Sequence, residues 1–202
     1  MSFMLALPKI SLHGAGAIGD MVKLVAGKQW GKALIVTDGH LVKMGLLDSL
    51  FTALDAQQMS YHLFDEVFPN PTEALVQQGY AAYQEANCDF IIAFGGGSPI
   101  DTAKAVKILT ANPGPSTAYS GVGKVKNAGV PLVAINTTAG TAAEMTSNAV
   151  IIDAERKVKE VIIDPNIIPD IAVDDASVML DIPPSITAAT GMDALTHAIE
   201  AF

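Results

Sequence analysis

The sequence predicts an α/β fold, a mostly parallel sheet covered by helices on both faces, and three observations carry that prediction. Short β-rich apolar runs alternate with stretches of helical length, the pattern of βαβ units. The run Phe-Ile-Ile-Ala-Phe at 90–94 is apolar throughout, as a strand buried on both faces must be. Glycine clusters follow two of the runs, at the carboxyl ends where such sheets place their ligands. In chain order, strands are expected at 10–12, 33–37, 61–64, 90–94, 131–136, 149–153, 158–164 and 171–174. Between the early ones, helices are expected at 17–26, 42–57, 72–86 and 99–111. The polar stretch 153–157 separates two strand-like runs and predicts an antiparallel hairpin. Residues 112–129, rich in Gly, Pro and Ser, read as a surface excursion without assignable chemistry. Pro183 and Pro184 break the structure before them, and Ser185 is a candidate cap for a final helix over 187–202. The expected division is an α/β domain over 1–180 and the first helix of a second domain over 181–202.

Composition narrows the function classes. Half of the 202 residues are hydrophobic, 16% are charged and the mean hydropathy is +0.36. That is apolar for a lone soluble domain and predicts surface covered by another domain or subunit, hence a homo-oligomer. A net charge of −9 with no basic patch argues against a nucleic-acid partner. No apolar run approaches the ~20 residues of a membrane span. Residues 1–14 lack a basic leader and a cleavage site, so no signal peptide is expected. The single cysteine, Cys88, forbids an internal disulfide and fits a reducing, cytoplasmic compartment. Cys88 itself reads as a small buried hydrophobe.

Two glycine clusters compete for a dinucleotide. Gly14, Gly16 and Gly19 satisfy Gly-x-Gly-x-x-Gly after a strand, with Asp38 19 residues beyond at the end of the next strand, the spacing of a dinucleotide fingerprint. Gly-Gly-Gly-Ser at 95–98 follows the apolar strand and opens a helix at Pro99. There, backbone without Cβ atoms can approach a pyrophosphate at a helix N-terminus. At the far end, Asp193 and His197 are four residues apart on a helical stretch, which sets a carboxylate and an imidazole on one face. Two side chains do not close a divalent metal site. By spacing alone they read first as a hydrogen-bonded surface pair.

The segments Gly-Gly-Gly-Ser-Pro-Ile-Asp-Thr-Ala-Lys at 95–104, Asn-Thr-Thr-Ala-Gly-Thr-Ala-Ala-Glu-Met at 136–145 and Ala-Ala-Thr-Gly-Met-Asp-Ala-Leu-Thr-His-Ala-Ile-Glu-Ala at 188–201, in that order, closely resemble the iron-containing (group III) alcohol dehydrogenase family. The resemblance implies a Rossmann-like sheet followed by the truncated start of an all-helical metal-binding domain. It implies NAD as cofactor, its pyrophosphate held by Gly96, Gly97, Ser98 and Asp101, and it makes Gly14, Gly16 and Gly19 structural. Thr137, Thr138 and Thr141 are then cofactor contacts, Asn70 lies beside the adenine ribose, and Lys159 near the nicotinamide ribose. Asp38 would accept hydrogen bonds from the ribose 2′-hydroxyl and repel a 2′-phosphate, favouring NAD over NADP. Read from residues alone, Asp38 is also a turn or helix-cap residue, Asn70 an Asn-Pro turn and Lys159 a solvated strand lysine.

Asp193 and His197 become, by the same resemblance, the first two of four metal ligands, the others being histidines of a further domain. Fe²⁺ is the implied ion, with Zn²⁺ also compatible with such a donor set. The implied activity is interconversion of small primary alcohols or diols with aldehydes. Two alternatives stand beside it: a glycerol-dehydrogenase-like zinc enzyme, and a non-catalytic nucleotide-binding or assembly module. His13, His40 and His62 match no ligand position and receive no role.

Overall fold

A computed structural model describes residues 5–201. The first four residues of the 1–14 segment, and Phe202 at the end of the expected final helix, lie outside that range. The main sheet has six strands, all parallel: β1 (Ile10–His13), β2 (Lys32–Val36), β3 (Ser60–Phe64), β4 (Phe90–Gly95), β6 (Leu132–Asn136) and β9 (Ile171–Asp174). Their order across the sheet is β1-β9-β6-β4-β2-β3. The chain runs from β2 outward to β3, then returns to place β4 on the other side of β2 and moves on through β6 to β9. The strand order therefore reverses between β2 and β4, and ligands of open α/β sheets bind at that switch point, at the carboxyl ends.

Side-chain alternation along the strands sorts the core into two layers. Ala33, Ile35, Phe90, Ile92 and Phe94 face α1 (Ala17–Ala26) and α3 (Asp48–Ala56), packing on Met21, Val25, Leu50 and Leu54. Leu34, Val36, Ile91 and Ala93 face α4 (Glu73–Glu85) and α5 (Gly97–Leu109), packing on Leu75, Val76, Ile100 and Val106. Phe90 and Phe94 are fully buried, and truncating either to Ala would cost about 3–5 kcal/mol.

The expected helix over 42–57 is two helices, α2 (Gly39–Lys43) and α3. Gly45 takes φ +72, a left-handed stop that ends the first and leaves a turn before the second. α5 begins at Gly97, two residues before Pro99. The hairpin is present: β7 (Asn148–Asp153) and β8 (Val158–Ile163) pair antiparallel. The glycine-rich excursion supplies β5 (Gly121–Val122), parallel to β8, which makes a separate three-stranded sheet that the sequence reading did not anticipate. The last helix, α6 (Pro184–Glu200), starts with Pro184 at its first position, and Ser185 does not cap it. None of its residues is buried, and Met192, Leu195 and Ile199 are more than half exposed.

Candidate cofactor and metal site

The switch point gathers the residues of the second glycine cluster. β4 ends at Gly95, where glycine is required twice over: φ is +145, and a Cβ would lie 2.6 Å from Pro99 Cγ. Gly96 is the N-cap of α5, and neither a side-chain cap nor an acidic residue in the first turn occupies that helix end. Its first amides are thus left without side-chain acceptors where the helix dipole is positive, a ready anion site. Ser98 sits in the first turn, its carbonyl accepting from Thr102 Oγ1 at 2.8 Å.

The Thr loop closes over this backbone. A Cβ at Gly96 would stand 2.8 Å from Thr138 Oγ1, and one at Gly97 3.9 Å from Thr141 Oγ1. Only glycine allows Thr138 to approach Gly96 so closely. The loop's entry is pinned twice: Thr137 N donates to Gly95 O at 3.1 Å, and Thr138 N to Asn136 Oδ1 at 3.0 Å. Thr137 is almost fully buried, and Thr141 is exposed.

The competing cluster is closed to anions. Asp175 Oδ2 accepts from the amides of Gly16 (3.0 Å) and Ile18 (3.2 Å), so a carboxylate already fills the N-terminus of α1. Burial alone would raise the Asp175 carboxyl. The Ser177 hydroxyl and the amides of Ile18, Ser177 and Gly16 outweigh it and hold it below the usual range.

Across the switch point, Asp38 caps α2 through Oδ1, which accepts from His40 N (2.9 Å) and Leu41 N (3.0 Å). The helix-cap role anticipated as an alternative is therefore present. Asp38 also borders an apolar cavity of about 460 Å³ walled by Leu41, Met44, Val67, Phe68 and Ile186. Asn70, at φ +59, is exposed in the turn that follows Phe68 and Pro69.

Asp101 lies one turn inside α5, where Oδ2 accepts from Val150 N of β7 at 3.1 Å. Burial pushes its carboxyl up to about 6 against the opposing effects of the Lys104 charge and the Val150 amide. Lys159 is exposed on β8, in the second sheet, opposite Ile152. The amide of Ile152 donates to Pro71 O at 2.8 Å, so Lys159 and Asn70 approach the same stretch of chain.

The helix α6 brings Asp193 to the Thr loop: a Cβ at Gly140 would lie 3.1 Å from Thr190 Cβ and 3.6 Å from Asp193 Oδ2. His197 Nε2 is 3.6 Å from Asp193 Oδ1, with the side chains 60% and 44% exposed. A carboxylate against the loop beside the glycine cluster and an imidazole next to it, both open to solvent, are donors suited to half of a divalent metal site. Among the described residues no group of three or more His, Cys, Asp or Glu is placed to hold an ion.

Sequence reasoning missed Asn136, Asp175, the apolar wall at Leu41, Phe68 and Ile186, and Lys104, whose Nζ is wrapped by loop carbonyls. Lys104 lay in the motif at 95–104 without a role assigned to it. The others gain their roles from distant parts of the chain.

Comparison with known proteins agrees with this geometry. The chain is 44% identical over 196 residues to alcohol dehydrogenase 4 of Schizosaccharomyces pombe, covering 97% of this chain and 46% of that protein. A crystal structure of a 1,3-propanediol oxidoreductase superposes with TM-score 0.95 at 38% identity, covering 98% of this chain and 52% of that one. The sulfoacetaldehyde reductase of Bifidobacterium kashiwanohense, solved in complex with NAD⁺, superposes with TM-score 0.90 at 29% identity, covering 100% and 54%. The chain spans about half the length of the curated relatives it matches. Residues 8–176 match the family described as iron-containing alcohol dehydrogenase, and with the Rossmann-like sheet and its glycine and threonine loops in place, the chain belongs to that family.

Proposed function

We propose that this chain is the cofactor-binding part of an NAD- and iron-dependent oxidoreductase that interconverts small alcohols or diols and aldehydes. One observation carries the reading: the uncapped N-terminus of α5 faces the Thr138–Thr141 loop, and Asp193 lies against Gly140 of that same loop. A diphosphate at α5 would meet the Gly96–Gly97 backbone and the first-turn amides, with the hydroxyls of Thr138 and Thr141 opposite. The adenine would enter the apolar cavity beside Asp38, whose second oxygen, Oδ2, remains to accept from the ribose. Thr137, Asn70, Ser98, Asp101 and Lys159 line or support the path between. The other half of the dinucleotide would then run toward α6, so nicotinamide, substrate and the Asp193–His197 pair converge.

When bound there, NAD supplies the hydride acceptor and the divalent ion, Fe²⁺ or Zn²⁺, supplies Lewis-acid polarisation of the substrate oxygen. The chain's own residues bind and orient: glycines admit the diphosphate, hydroxyls fix it, and Asp193 and His197 offer two of the donors. The division at residue 181 follows from the same reading, with α6 opening a second, metal-binding domain. Its exposed apolar side chains, together with Leu180 at 81% exposure, favour further protein surface against it, within a homo-oligomer or a longer chain. Bare α6 and the incomplete donor set also favour one other reading, a nucleotide-binding module without turnover. No helix among the described residues is long and apolar enough to cross a membrane.

Calorimetric titration of the purified chain with NAD tests the reading. Saturable binding, lost in Gly97→Val, is expected. Absence of binding at millimolar NAD would end the proposal for both catalytic and module forms.

A further inference from the structure

Lys104 lies within the glycine-loop motif, seven residues after Gly97 on α5, so at ~1.5 Å per residue its backbone is about 10 Å behind the helix N-terminus. A lysine so close to a phosphate loop would be expected to reach the phosphate. Here its side chain is fully buried and turned to a different task. Nζ donates to Ala143 O at 2.7 Å, Asn148 O at 2.7 Å and Thr146 O at 2.9 Å, with Thr146 Oγ1 at 3.1 Å. Three carbonyls need three donors, which an ammonium has and a neutral amine lacks. Burial lowers the Lys104 pKa to about 8, with Asp101 and Glu144 opposing and Lys107 assisting. The group is therefore charged at neutral pH. All of its donors are spent on the loop.

These three carbonyls mark the exit of the loop that carries Thr138 and Thr141. Its entry is held by Gly95 O and Asn136 Oδ1. The four residues 139–142 thus hang between two anchors, and α5 provides both the surface the loop faces, at Gly96 and Gly97, and the exit anchor. We propose that Lys104 is a positioning residue: it fixes the exit of the Thr loop so that Thr138 and Thr141 stand over the Gly96–Gly97 backbone, and it acts on the cofactor's diphosphate through that loop rather than by touching it. The inference rests on the NAD reading above for its ligand, while the anchoring itself belongs to the free protein.

Lys104→Met keeps the length and apolar stem of the side chain and removes the donors. In the 202-residue chain, NAD affinity should fall at least tenfold, and affinity for adenosine monophosphate, seated at the Asp38 end, should change less than twofold. Hydrogen exchange without ligand should show faster exchange of amides in 138–148 and unchanged exchange in β4 and β2. Equal loss of both ligands, or unchanged exchange of the loop, overturns the inference. If wild type binds no NAD but the loop still loosens in Lys104→Met, the anchoring stands and the NAD reading falls. Should Lys104→Met not fold, Thr146→Ala, which removes one of the four acceptors, should give the same split at about threefold. An even loss of both ligands in that variant would overturn the inference equally.

Discussion

Asp175 and Gly16, 159 positions apart in sequence, are joined by a 3.0 Å hydrogen bond from the Gly16 amide to Asp175 Oδ2. The Ile18 amide donates to the same oxygen at 3.2 Å. The carboxylate stands where a phosphate would stand in a dinucleotide-binding turn, and a second anion beside it would be repelled. Replacing Asp175 with Ala strips α1 of its cap and leaves the buried Ile18 amide unpaired. A loss of about 1–3 kcal/mol is expected in urea unfolding. An unchanged unfolding free energy in that variant would count against the account of α1.

The two glycine clusters separate cleanly by mutation. A Cβ at Gly19 meets nothing within 4 Å, and one at Gly97 only Thr141 Oγ1 at 3.9 Å; neither glycine has positive φ. Both Val variants should therefore fold, so any change in NAD binding reports the ligand's own space. Gly97→Val should weaken binding by about two orders of magnitude, roughly 3 kcal/mol, and Gly19→Val should leave it unchanged. The reverse pattern in calorimetry would move the cofactor to α1.

Asp38 caps α2 and is proposed to face the adenine ribose, and Asn separates the two tasks. Asn retains an oxygen for the His40 and Leu41 amides and removes the charge. Asp38→Asn should keep α2 capped and narrow the preference for NAD over NADP by about tenfold, roughly 1.4 kcal/mol, because repulsion of the 2′-phosphate is gone. The ratio of the two dissociation constants measures it. An unchanged ratio would leave Asp38 as a helix cap alone.

How much of this was legible in the sequence depends on how far apart the cooperating residues lie. β4 declared itself because five consecutive apolar residues admit few other fates, and the glycine loop because it follows directly. The break at Gly45 was readable but outweighed by the helical pattern around it. The Asp175–Gly16 bond was not readable, since a cap supplied from 159 residues away leaves no local pattern. The same holds for the apolar cavity beside Asp38: Ile186 meets Leu41 and Phe68 only through the fold. β5 was hidden because two residues in a glycine-rich run show no period. Asp193 and His197 were visible as a pair, while their approach to Gly140 needed three dimensions.

Asp101 gives the fold a specific pH dependence. Its carboxyl titrates near 3.8 when exposed and near 6 when folded, because burial disfavours the charge. Between those values the folded chain holds a proton that the unfolded chain has released. Stability from this group is present below about pH 4 and lost as pH rises through 6. Asp101→Asn still accepts from Val150 N and cannot ionise. Its unfolding free energy relative to wild type should rise by about 1–3 kcal/mol between pH 4 and pH 6.5. A pH-independent difference between the two proteins would refute the assignment.

The 202-residue chain by itself should show no alcohol dehydrogenase turnover above background unless another polypeptide completes the metal site. Asp193 and His197 are the donors it brings together there, and they leave most coordination positions to water, so an ion should bind weakly and exchange readily. The helix that carries them buries none of its own residues, and most helical stability in proteins comes from packing an apolar face. NAD binding should survive, because the backbone and hydroxyls proposed to hold it belong to the main sheet and its loops. The assay combines purified chain, NAD, excess Fe²⁺ or Zn²⁺ and a panel of short alcohols with measurement of retained metal. Substoichiometric metal and saturable NAD binding without turnover are the expected results. Steady turnover that disappears in His197→Ala would mean instead that these residues build a working centre within this chain or between its copies.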